Sequence, residues 1–228
     1  MNPIVSVRIM AYQNAPYIKE CIDSVLMQKT DFPFEICIGE DGSTDGTREI
    51  CLDYQDKYPD IVKVFLWDRT LPEHKAMPPA RYNFINTIKK CQGKYIALLD
   101  GDDYWTDPLK LFKQVNILEQ HPSIVLCHHW HKFGVYDKYT YKEQTINTRG
   151  QGYLKNAVTT SKELFTNDLR IKIRTMLFRN IFSSREIPDF FYKAKFGDLA
   201  LAFILGKEGE FYFIDEEMAV YRQLEGGI

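Results

Sequence analysis

The chain lacks the features that mark several specialised classes of protein. Its cysteines number five, an odd count, and no two of them form a Cys-x-x-Cys pair. No apolar run approaches the ~20 residues that span a bilayer, and the chain has no low-complexity segment or internal repeat. The formal net charge is only −2, so no overall field recruits nucleic acid or anionic lipid. A disulfide scaffold, a nucleic-acid-binding protein and a membrane-spanning chain are therefore not expected.

The cysteines and the N-terminus indicate where the protein resides. The cysteines are scattered among apolar neighbours, as small buried thiols are; they are Cys21, Cys37, Cys51, Cys91 and Cys127. A reducing compartment suits such thiols. The N-terminus has no basic region followed by a long apolar stretch, so we expect no secretory signal. We expect a cytoplasmic protein, and the sequence leaves open a peripheral contact with the inner face of a membrane.

Short apolar strands alternate with amphipathic helices in the first half of the chain. The predicted strands are Val5–Ala11, Phe34–Ile38, Ile61–Leu66 and the run that ends at Leu99. A helix is predicted from about Ala80 to Cys91. This alternation is typical of an α/β protein with a Rossmann-like, mostly parallel sheet and helices on both faces. No clean domain boundary is visible, so we expect one domain over residues 1–228.

The second half of the chain is less regular and predicts a smaller mixed region. Thr106 to Pro108 predicts the start of a helix with Asp107 as its N-cap. The other predicted elements are a strand at Ile124–Cys127, a polar loop from Lys138 to Asn156, a capping box at Thr160–Glu163, a strand at Thr175–Phe178, a helix through Leu199–Leu205, and closing strands at Glu210–Ile214 and Met218–Tyr221.

The most informative segment is the end of the fourth predicted strand. Asp100, Asp102 and Asp103 follow a buried apolar run directly, with Gly101 between the first two. Two unit charges ~4 Å apart repel by ~4 kcal/mol at the effective dielectric near a protein surface. A hard divalent cation such as Mg²⁺ or Mn²⁺ would reverse that repulsion. Asp100 and Asp102 project to one side of an extended chain and Asp103 to the other, and Gly101 leaves room for a ligand. A solvated Asp-Gly turn is the alternative.

Polar residues also follow the first two strands. They lie at Tyr12–Asn14 and Glu40–Asp45, and Asp100–Asp103 makes a third polar strand end. Parallel strands place their carboxyl ends at one edge of the sheet, where such sheets bind ligands. A cleft is therefore a better explanation than three unrelated turns.

The order of these segments resembles the family-two glycosyltransferases, which have the GT-A fold and, in their inverting bacterial members, use a metal ion. The matched segments are Val5–Val7 with Tyr12–Asn14, Glu40–Thr47, Ala80–Asn83 and Gly93–Asp103. The resemblance is close over the first half of the chain and loose over the second. It implies a nucleotide-sugar-binding half over residues 1–105 and an acceptor-binding half over residues 106–228.

The resemblance also implies roles for individual residues. Asp102, assisted by Asp100, would hold Mn²⁺ or Mg²⁺ against the diphosphate; Asp41 would accept the uracil N–H; Tyr12 would stack on the base; and Arg81 would bind the base or the diphosphate. The whole implied nucleotide-binding set is Ala11, Tyr12, Asn14, Glu40, Asp41, Arg81, Asp100 and Gly101. Without the resemblance, Tyr12 could be a core aromatic, Asp41 a turn residue and Arg81 an exposed helix cation.

Inverting members take the acceptor proton with a carboxylate at the start of a second-half helix, and Asp198 matches that position. Such a carboxylate could act as the general base of a single displacement. The alternative is an ordinary N-cap before the apolar helix. A capping carboxylate tends toward a lowered pKa, which weakens it as a base.

The chain departs from the family at one position, where many relatives have Tyr-Arg-x-His and this chain has Leu224 in place of the histidine. A Gln-x-x-Arg-Trp element is also absent, which argues against a processive synthase. His128, His129 and His131 suggest an acceptor-site wall more than a zinc site, because no cysteine pair is near them. The expected function is transfer of a sugar from a UDP-sugar to a glycan or lipid-linked acceptor in cell-surface polysaccharide synthesis.

Two other functions are compatible with parts of this pattern. A sugar nucleotidyltransferase would have a glycine-rich basic loop after the first strand, where this chain has Ala11 to Asn14, so that function is disfavoured. A nucleotide-sugar-binding protein without catalysis is the main alternative, because of the missing histidine.

Overall fold

A computed structural model describes residues 2–136, 141–142, 158–160, 162 and 171–224 of the chain. Its strands and helices are numbered below in chain order. Within these residues, no helix is both long enough and apolar enough to cross a membrane.

The first half forms four parallel strands in the order β3-β2-β1-β4. The strands are β1 (Val5–Ala11), β2 (Phe34–Glu40), β3 (Val62–Leu66) and β4 (Tyr95–Asp100). The helices between them are α1 (Ile18–Leu26), α2 (Thr47–Lys57), α3 (Pro72–Lys75) and α4 (Arg81–Ile88). Strand order reverses between β1 and β4, which is where open α/β sheets bind ligands.

The second half extends the same sheet in the order β4-β9-β6-β10-β5. Its strands are β5 (Tyr104–Trp105), β6 (Ile124–Tyr136), β7 (Tyr141–Lys142), β8 (Val158–Thr159), β9 (Leu177–Arg179) and β10 (Glu210–Gln223). Its helices are α5 (Lys110–Gln120), α6 (Asp189–Lys193) and α7 (Gly197–Leu205), with 3₁₀ turns at Ile173–Thr175 and Ile181–Ser183. Strand β9 is antiparallel to both β4 and β6, which makes this half mixed.

The core lies on both faces of the sheet, because neighbouring residues of a strand point to opposite faces. Val7 and Ile9 of β1 are fully buried against the face covered by α1, α2 and α5. Leu98 of β4 is fully buried against the other face, which α4, α6 and α7 cover. Each such aliphatic side chain contributes about 1.5–3 kcal/mol through burial. The predicted α/β architecture with helices on both faces is confirmed.

Several predicted bounds differ from the structure. Helix α5 begins at Lys110, later than predicted, because the chain from Asp107 first makes a turn: the Asp107 carboxylate accepts the Leu109 N–H at 2.8 Å and its carbonyl accepts the Lys110 N–H at 3.2 Å. The two predicted closing strands form one long strand, β10. Its pairing with β6 is interrupted by register shifts in the middle of the strand. Strand β6 continues through the three histidines.

Of the remaining predictions, one strand begins later than predicted, the buried cysteines are confirmed, and two segments lie mostly outside the described residues. Thr175 lies in a 3₁₀ turn, so the strand predicted from it begins two residues later. The polar segment from Lys138 and the capping box at Thr160–Glu163 lie mostly outside the described residues. All five cysteines are buried free thiols, as predicted.

Candidate active site

A cavity of about 580 Å³ opens at the carboxyl ends of β1, β2 and β4. The polar strand ends therefore share one cleft, as the sequence predicts. Its lining includes eight of the predicted site residues: Ala11, Tyr12, Asn14, Asp41, Asp100, Gly101, Asp102 and Asp198. Glu40 and Arg81, also predicted to bind the nucleotide, do not line it.

The loop after β1 is fixed by contacts with the loop after β2. The Asn14 side-chain oxygen accepts the Tyr12 N–H at 2.9 Å, and the Asn14 N–H donates to the Thr47 hydroxyl at 2.8 Å. These bonds satisfy backbone groups that the end of a strand leaves open. Tyr12 is held at the cavity with 46 % of its surface exposed, so it is not a core aromatic.

Asp41 is buried at the floor of this end of the cavity. Its Oδ1 is 2.7 Å from His74 Nε2, and its Oδ2 is 3.6 Å from Arg69 Nη1. The Arg69 guanidinium also lies 4.0 Å from the centroid of the Tyr12 ring. Neither His74 nor Arg69 belongs to a recognisable motif: Arg69 lies in the loop after β3, and His74 lies in the short helix α3.

Glu40 has a structural place next to Asp41. It is fully buried, and its carboxylate accepts the Ser43 N–H at 2.6 Å and the Arg48 Nε–H at 2.7 Å. Both contacts hold the loop that carries Asp41. The structure therefore does not bring the Glu40 side chain to the cavity, and its expected contact with the nucleotide is replaced by a loop-holding one.

Asp100 and Asp102 line the cavity at the end of β4, and their oxygen atoms are the kind that Mg²⁺ and Mn²⁺ prefer. Asp100 Oδ1 is buried and accepts no hydrogen bond from the described residues; Arg8 Nη1 lies 3.7 Å from it. Burial and the Asp100 charge raise the pKa of Asp102 to about 6. A cation relieves this kind of repulsion, so the pair fits a divalent ion.

The described part of the chain holds no group of three or more His, Cys, Asp or Glu side chains arranged for a metal. A cation here would therefore rest on two carboxylates and on substrate oxygens. That is a common arrangement for Mg²⁺, which keeps several waters and binds substrate phosphates.

Gly101 is required by the packing of the chain against itself. A Cβ atom at this position would lie 2.8 Å from the Met10 carbonyl oxygen and 2.8 Å from Asn14 Oδ1. The end of β1 therefore packs closely against Gly101, which also lines the cavity. Gly101 thus links the first and third polar strand ends.

Asp103 lines the same cavity. It follows a turn at the end of β4, in which its N–H donates to the Asp100 carbonyl at 3.0 Å, so the alternation predicted for an extended chain does not continue to it. It is fully buried, and it accepts the Arg174 Nε–H at 2.5 Å and the Arg222 N–H at 3.0 Å. Burial raises the pKa of Asp103, and the Arg174 charge opposes that shift. Asp103 therefore ties the acidic strand end to the second half of the chain.

Arg222 completes that tie. Its Nη1 donates to the Asp102 carbonyl at 2.7 Å, and its Nη2 donates to the Glu20 carboxylate. Sequence analysis missed Arg174 as a site residue and noted Arg222 only as part of a tetrapeptide. Leu224, which stands where relatives have histidine, lines the cavity.

Asp198 is the second residue of α7, and it lines the cavity. Its Oδ1 accepts the N–H of the next residue, Leu199, at 2.8 Å, and α7 has no side-chain cap. Asp198 is therefore not the N-cap, which was the alternative interpretation. Arg81, by contrast, is turned away from the cavity toward this helix.

The three histidines of β6 are buried, and only His131 lines the cavity. Burial lowers the pKa of His128 and of His131 to about 3, so both imidazoles are neutral at pH 7. Neutral His131 at the wall can exchange hydrogen bonds with a hydroxyl group.

Comparisons with known proteins agree with this arrangement. The family model described as glycosyl transferase family 2 matches residues 6–182. An uncharacterised protein of Mycobacterium bovis is 38% identical over 125 residues, which are 55% of this chain and 34% of that protein. The putative teichuronic acid biosynthesis glycosyltransferase TuaG of Bacillus subtilis is 35% identical over 117 residues, 51% of this chain and 42% of that protein.

Solved structures share the fold. S. aureus TarS, residues 1–349 in complex with UDP-GlcNAc, superposes with a TM-score of 0.67 at 20% identity and covers 98% of this chain and 59% of its own. The mannosyltransferase PcManGT of Pyrobaculum calidifontis, in complex with GDP-Man and Mn²⁺, has a TM-score of 0.59 at 17% identity, covering 98% and 57%. The chain spans about a third of the M. bovis relative and well under two thirds of these structures.

Proposed function

The chain belongs to glycosyl transferase family 2, and from that premise we propose that it transfers one sugar from a UDP-sugar to an acceptor hydroxyl, with a divalent cation and with inversion at the anomeric carbon. The observation that carries the proposal is the shared cavity. It gathers an exposed aromatic ring, a buried carboxylate beside it, an acidic pair and a separate carboxylate on α7. These are the groups that a base, a diphosphate and an acceptor hydroxyl each require.

The base end of the cavity supports uracil. An ionised Asp41 has only acceptor oxygens, so it suits the N3–H that uracil presents. His74 Nε2, 2.7 Å from Oδ1, orients the carboxylate, and Oδ2, 3.6 Å from Arg69 Nη1, is the oxygen that would accept the base N–H. Arg69 lies over the Tyr12 ring at 4.0 Å, which is stacking distance, so a base can stack on that ring face only when Arg69 moves aside. TarS was solved with UDP-GlcNAc and PcManGT with GDP-Man, so the choice of base needs its own test.

The acidic pair supports a site for the diphosphate. Asp100 and Asp102 would hold Mn²⁺ or Mg²⁺, which when bound neutralises the charge that develops on the leaving diphosphate. The protein's own cations on this side are Lys172, Arg174 and Arg222, which also line the cavity. They add positive charge where the diphosphate would lie.

Asp198 is proposed as the general base. The acceptor hydroxyl gives its proton to the Asp198 carboxylate while its oxygen forms a bond to the anomeric carbon. The bond from that carbon to the diphosphate breaks, and its electron pair leaves with UDP. Attack from the face opposite the leaving group inverts the configuration. His131 on the same wall can orient the acceptor through a hydrogen bond.

We further propose that the acceptor is a glycan or a lipid-linked sugar in cell-surface polysaccharide synthesis, in the cytoplasm or at the inner face of its membrane. The support is the similarity to TuaG, which is named a putative teichuronic acid biosynthesis glycosyltransferase, and a 35% match over 103 residues to the chondroitin synthase of Escherichia coli. A nucleotide-sugar-binding protein without catalysis is the second candidate, favoured by Leu224 in place of histidine.

Calorimetry with UDP tests the proposal. UDP should bind when Mn²⁺ is present, and its affinity should fall at least about tenfold when a chelator removes the metal. GDP should bind more weakly than UDP under the same conditions. Asp102→Ala should abolish the effect of Mn²⁺, whereas Asp53→Ala, an exposed aspartate of α2, should not. Release of UDP from a panel of UDP-sugars then separates the transferase from a binding protein. Absence of heat with UDP under all metal conditions would reject both.

A further inference from the structure

Arg81 is packed behind the cavity wall, although the family resemblance assigns it to the nucleotide. Only 4 % of it is exposed. Its Nη2 donates to the Ala194 carbonyl at 2.8 Å, and its guanidinium carbon lies 4.8 Å from the Phe191 ring and 5.6 Å from the Phe84 ring. These contacts join α4, in the first half, to the segment that leads into α7.

Gly197, the residue before Asp198, lies directly against this guanidinium. A Cβ atom on Gly197 would lie only 2.5 Å from Arg81 Nη1. Real Cβ atoms do not approach other atoms so closely, so glycine is required for Arg81 to lie in this position. The guanidinium therefore packs directly on the backbone that places Asp198.

The backbone directly before Arg81 is strained. Ala80 has φ 61° and ψ −8°, a left-handed conformation that is unfavourable for a non-glycine residue. Ala80 lines the cavity, and Arg81 begins the helix on the other side of the wall. Such a backbone conformation persists where surrounding contacts stabilise it. The contacts of Arg81 are next to Ala80 in the chain.

We propose that Arg81 is a positioning residue that holds the turn 194–197, and through Gly197 the general base Asp198, at the cavity wall. It acts on the transfer step and not on the binding of the nucleotide. The inference depends on the proposed function, because it assigns Arg81 to the base of that reaction.

The charges agree with the geometry. Burial lowers the pKa of Arg81, and the Asp198 charge opposes that shift. The Asp198 charge therefore lies close enough to act on the guanidinium, which agrees with the contact of Arg81 beside Gly197.

Arg81→Met and Gly197→Ala test the proposal from the two sides of the contact. In each, kcat for Mn²⁺-dependent release of UDP from the best UDP-sugar of the panel should fall at least about tenfold, while the dissociation constant of UDP stays within about twofold. The double variant should be little worse than Arg81→Met alone, because both changes remove one interaction.

Arg185→Met is the matched control, since Arg185 is an exposed arginine that pairs with Glu208; it should change neither quantity. A rise of tenfold or more in the UDP dissociation constant of Arg81→Met, with kcat retained, would overturn the proposal and return Arg81 to the nucleotide. If Arg81→Met does not fold, Gly197→Ala alone decides by the same two measurements. A wild-type protein that binds UDP but releases none from any UDP-sugar would instead reject the transferase function.

Discussion

The two halves of the molecule build their parts of the cavity in different ways. Up to residue 105, most of the lining groups follow neighbouring parallel strands, and adjacent loops hold them, as Thr47 holds Asn14 at 2.8 Å. Beyond residue 105 the lining groups come from β6, from a 3₁₀ turn and the residue before it, from α7, and from the end of β10 and the residue after it. They are held across long separations: Arg174 meets Asp103 71 positions away, and Arg222 meets Glu20 202 positions away.

This difference matters because a short motif can encode the first arrangement but not the second. A loop after a strand is placed by the strand, so its residue types already indicate a ligand site. An arginine that crosses the sheet looks the same in sequence as one that is exposed. The predictions below test how far the two halves depend on these different supports.

The largest effect is expected at the base, in the second half. Asp198→Asn keeps the shape of the side chain and removes its basicity, so kcat should fall by about 10²–10⁴-fold with the UDP dissociation constant nearly unchanged. Asp189→Asn, on the exposed face of α6, is the control. Transfer that survives in Asp198→Asn would mean that another group accepts the proton.

The long-range ion pair should matter more for stability than a local one. Arg174→Met leaves Asp103 fully buried without its cation, which should cost about 3–5 kcal/mol of unfolding free energy. Arg48→Met should cost less, about 1–2 kcal/mol, because Glu40 keeps the Ser43 N–H and because solvent reaches the partly exposed Arg48. Urea unfolding of both variants measures the difference. Equal losses would show that sequence separation has no bearing on these pairs.

A smaller effect is expected at the base end of the first half. His74→Ala removes the group that orients Asp41, so UDP should bind about tenfold more weakly, as the loss of supporting contacts commonly gives. His121→Ala, an exposed histidine that does not line the cavity, should leave the affinity unchanged. Calorimetry with UDP and Mn²⁺ measures both. If the UDP affinity of His74→Ala is unaltered, Arg69 alone orients Asp41.

A dependence of the unfolding free energy on pH is expected from Lys110 of α5. It is fully buried, 4.0 Å from the Trp105 ring, and burial lowers its pKa to about 7. The unfolded chain, with a lysine pKa of ~10.4, then binds more protons than the folded one above pH 7. The unfolding free energy should therefore gain about 1–3 kcal/mol from pH 7 to 10, relative to a variant without this lysine.

Lys110→Met is that variant, and at pH 7 and below it should be as stable as the wild type or more so. Lys113→Met on the same helix is the control, because Lys113 pairs with Asp107 and Glu216 near the surface and should keep the rise with pH. Chemical unfolding at several pH values measures the unfolding free energy of the wild type and of both variants. Identical pH profiles for wild type and Lys110→Met would contradict the buried-lysine explanation.

Much of the first half was predictable because strand ends and loops are local. The strand bounds, the shared edge and the lining positions of Tyr12, Asp41, Asp100 and Asp102 follow from alternation and from parallel topology. The side chains of Glu40 and Arg81 make other contacts and do not line the cavity, although both lie in matched segments. A motif fixes residue types and spacing, but the direction of a long side chain depends on what packs against it.

The sequence by itself determined the family through its ordered motifs, and it determined the α/β fold and the edge of the sheet at which the cavity forms, because motifs and hydrophobic periodicity are properties of short segments. Only the tertiary structure decided which charged side chains face the cavity and which hold its walls. Asp103, Arg174 and Arg81 owe their places to burial against residues far along the chain. A buried charge must find a partner, and that partner is chosen by packing in three dimensions.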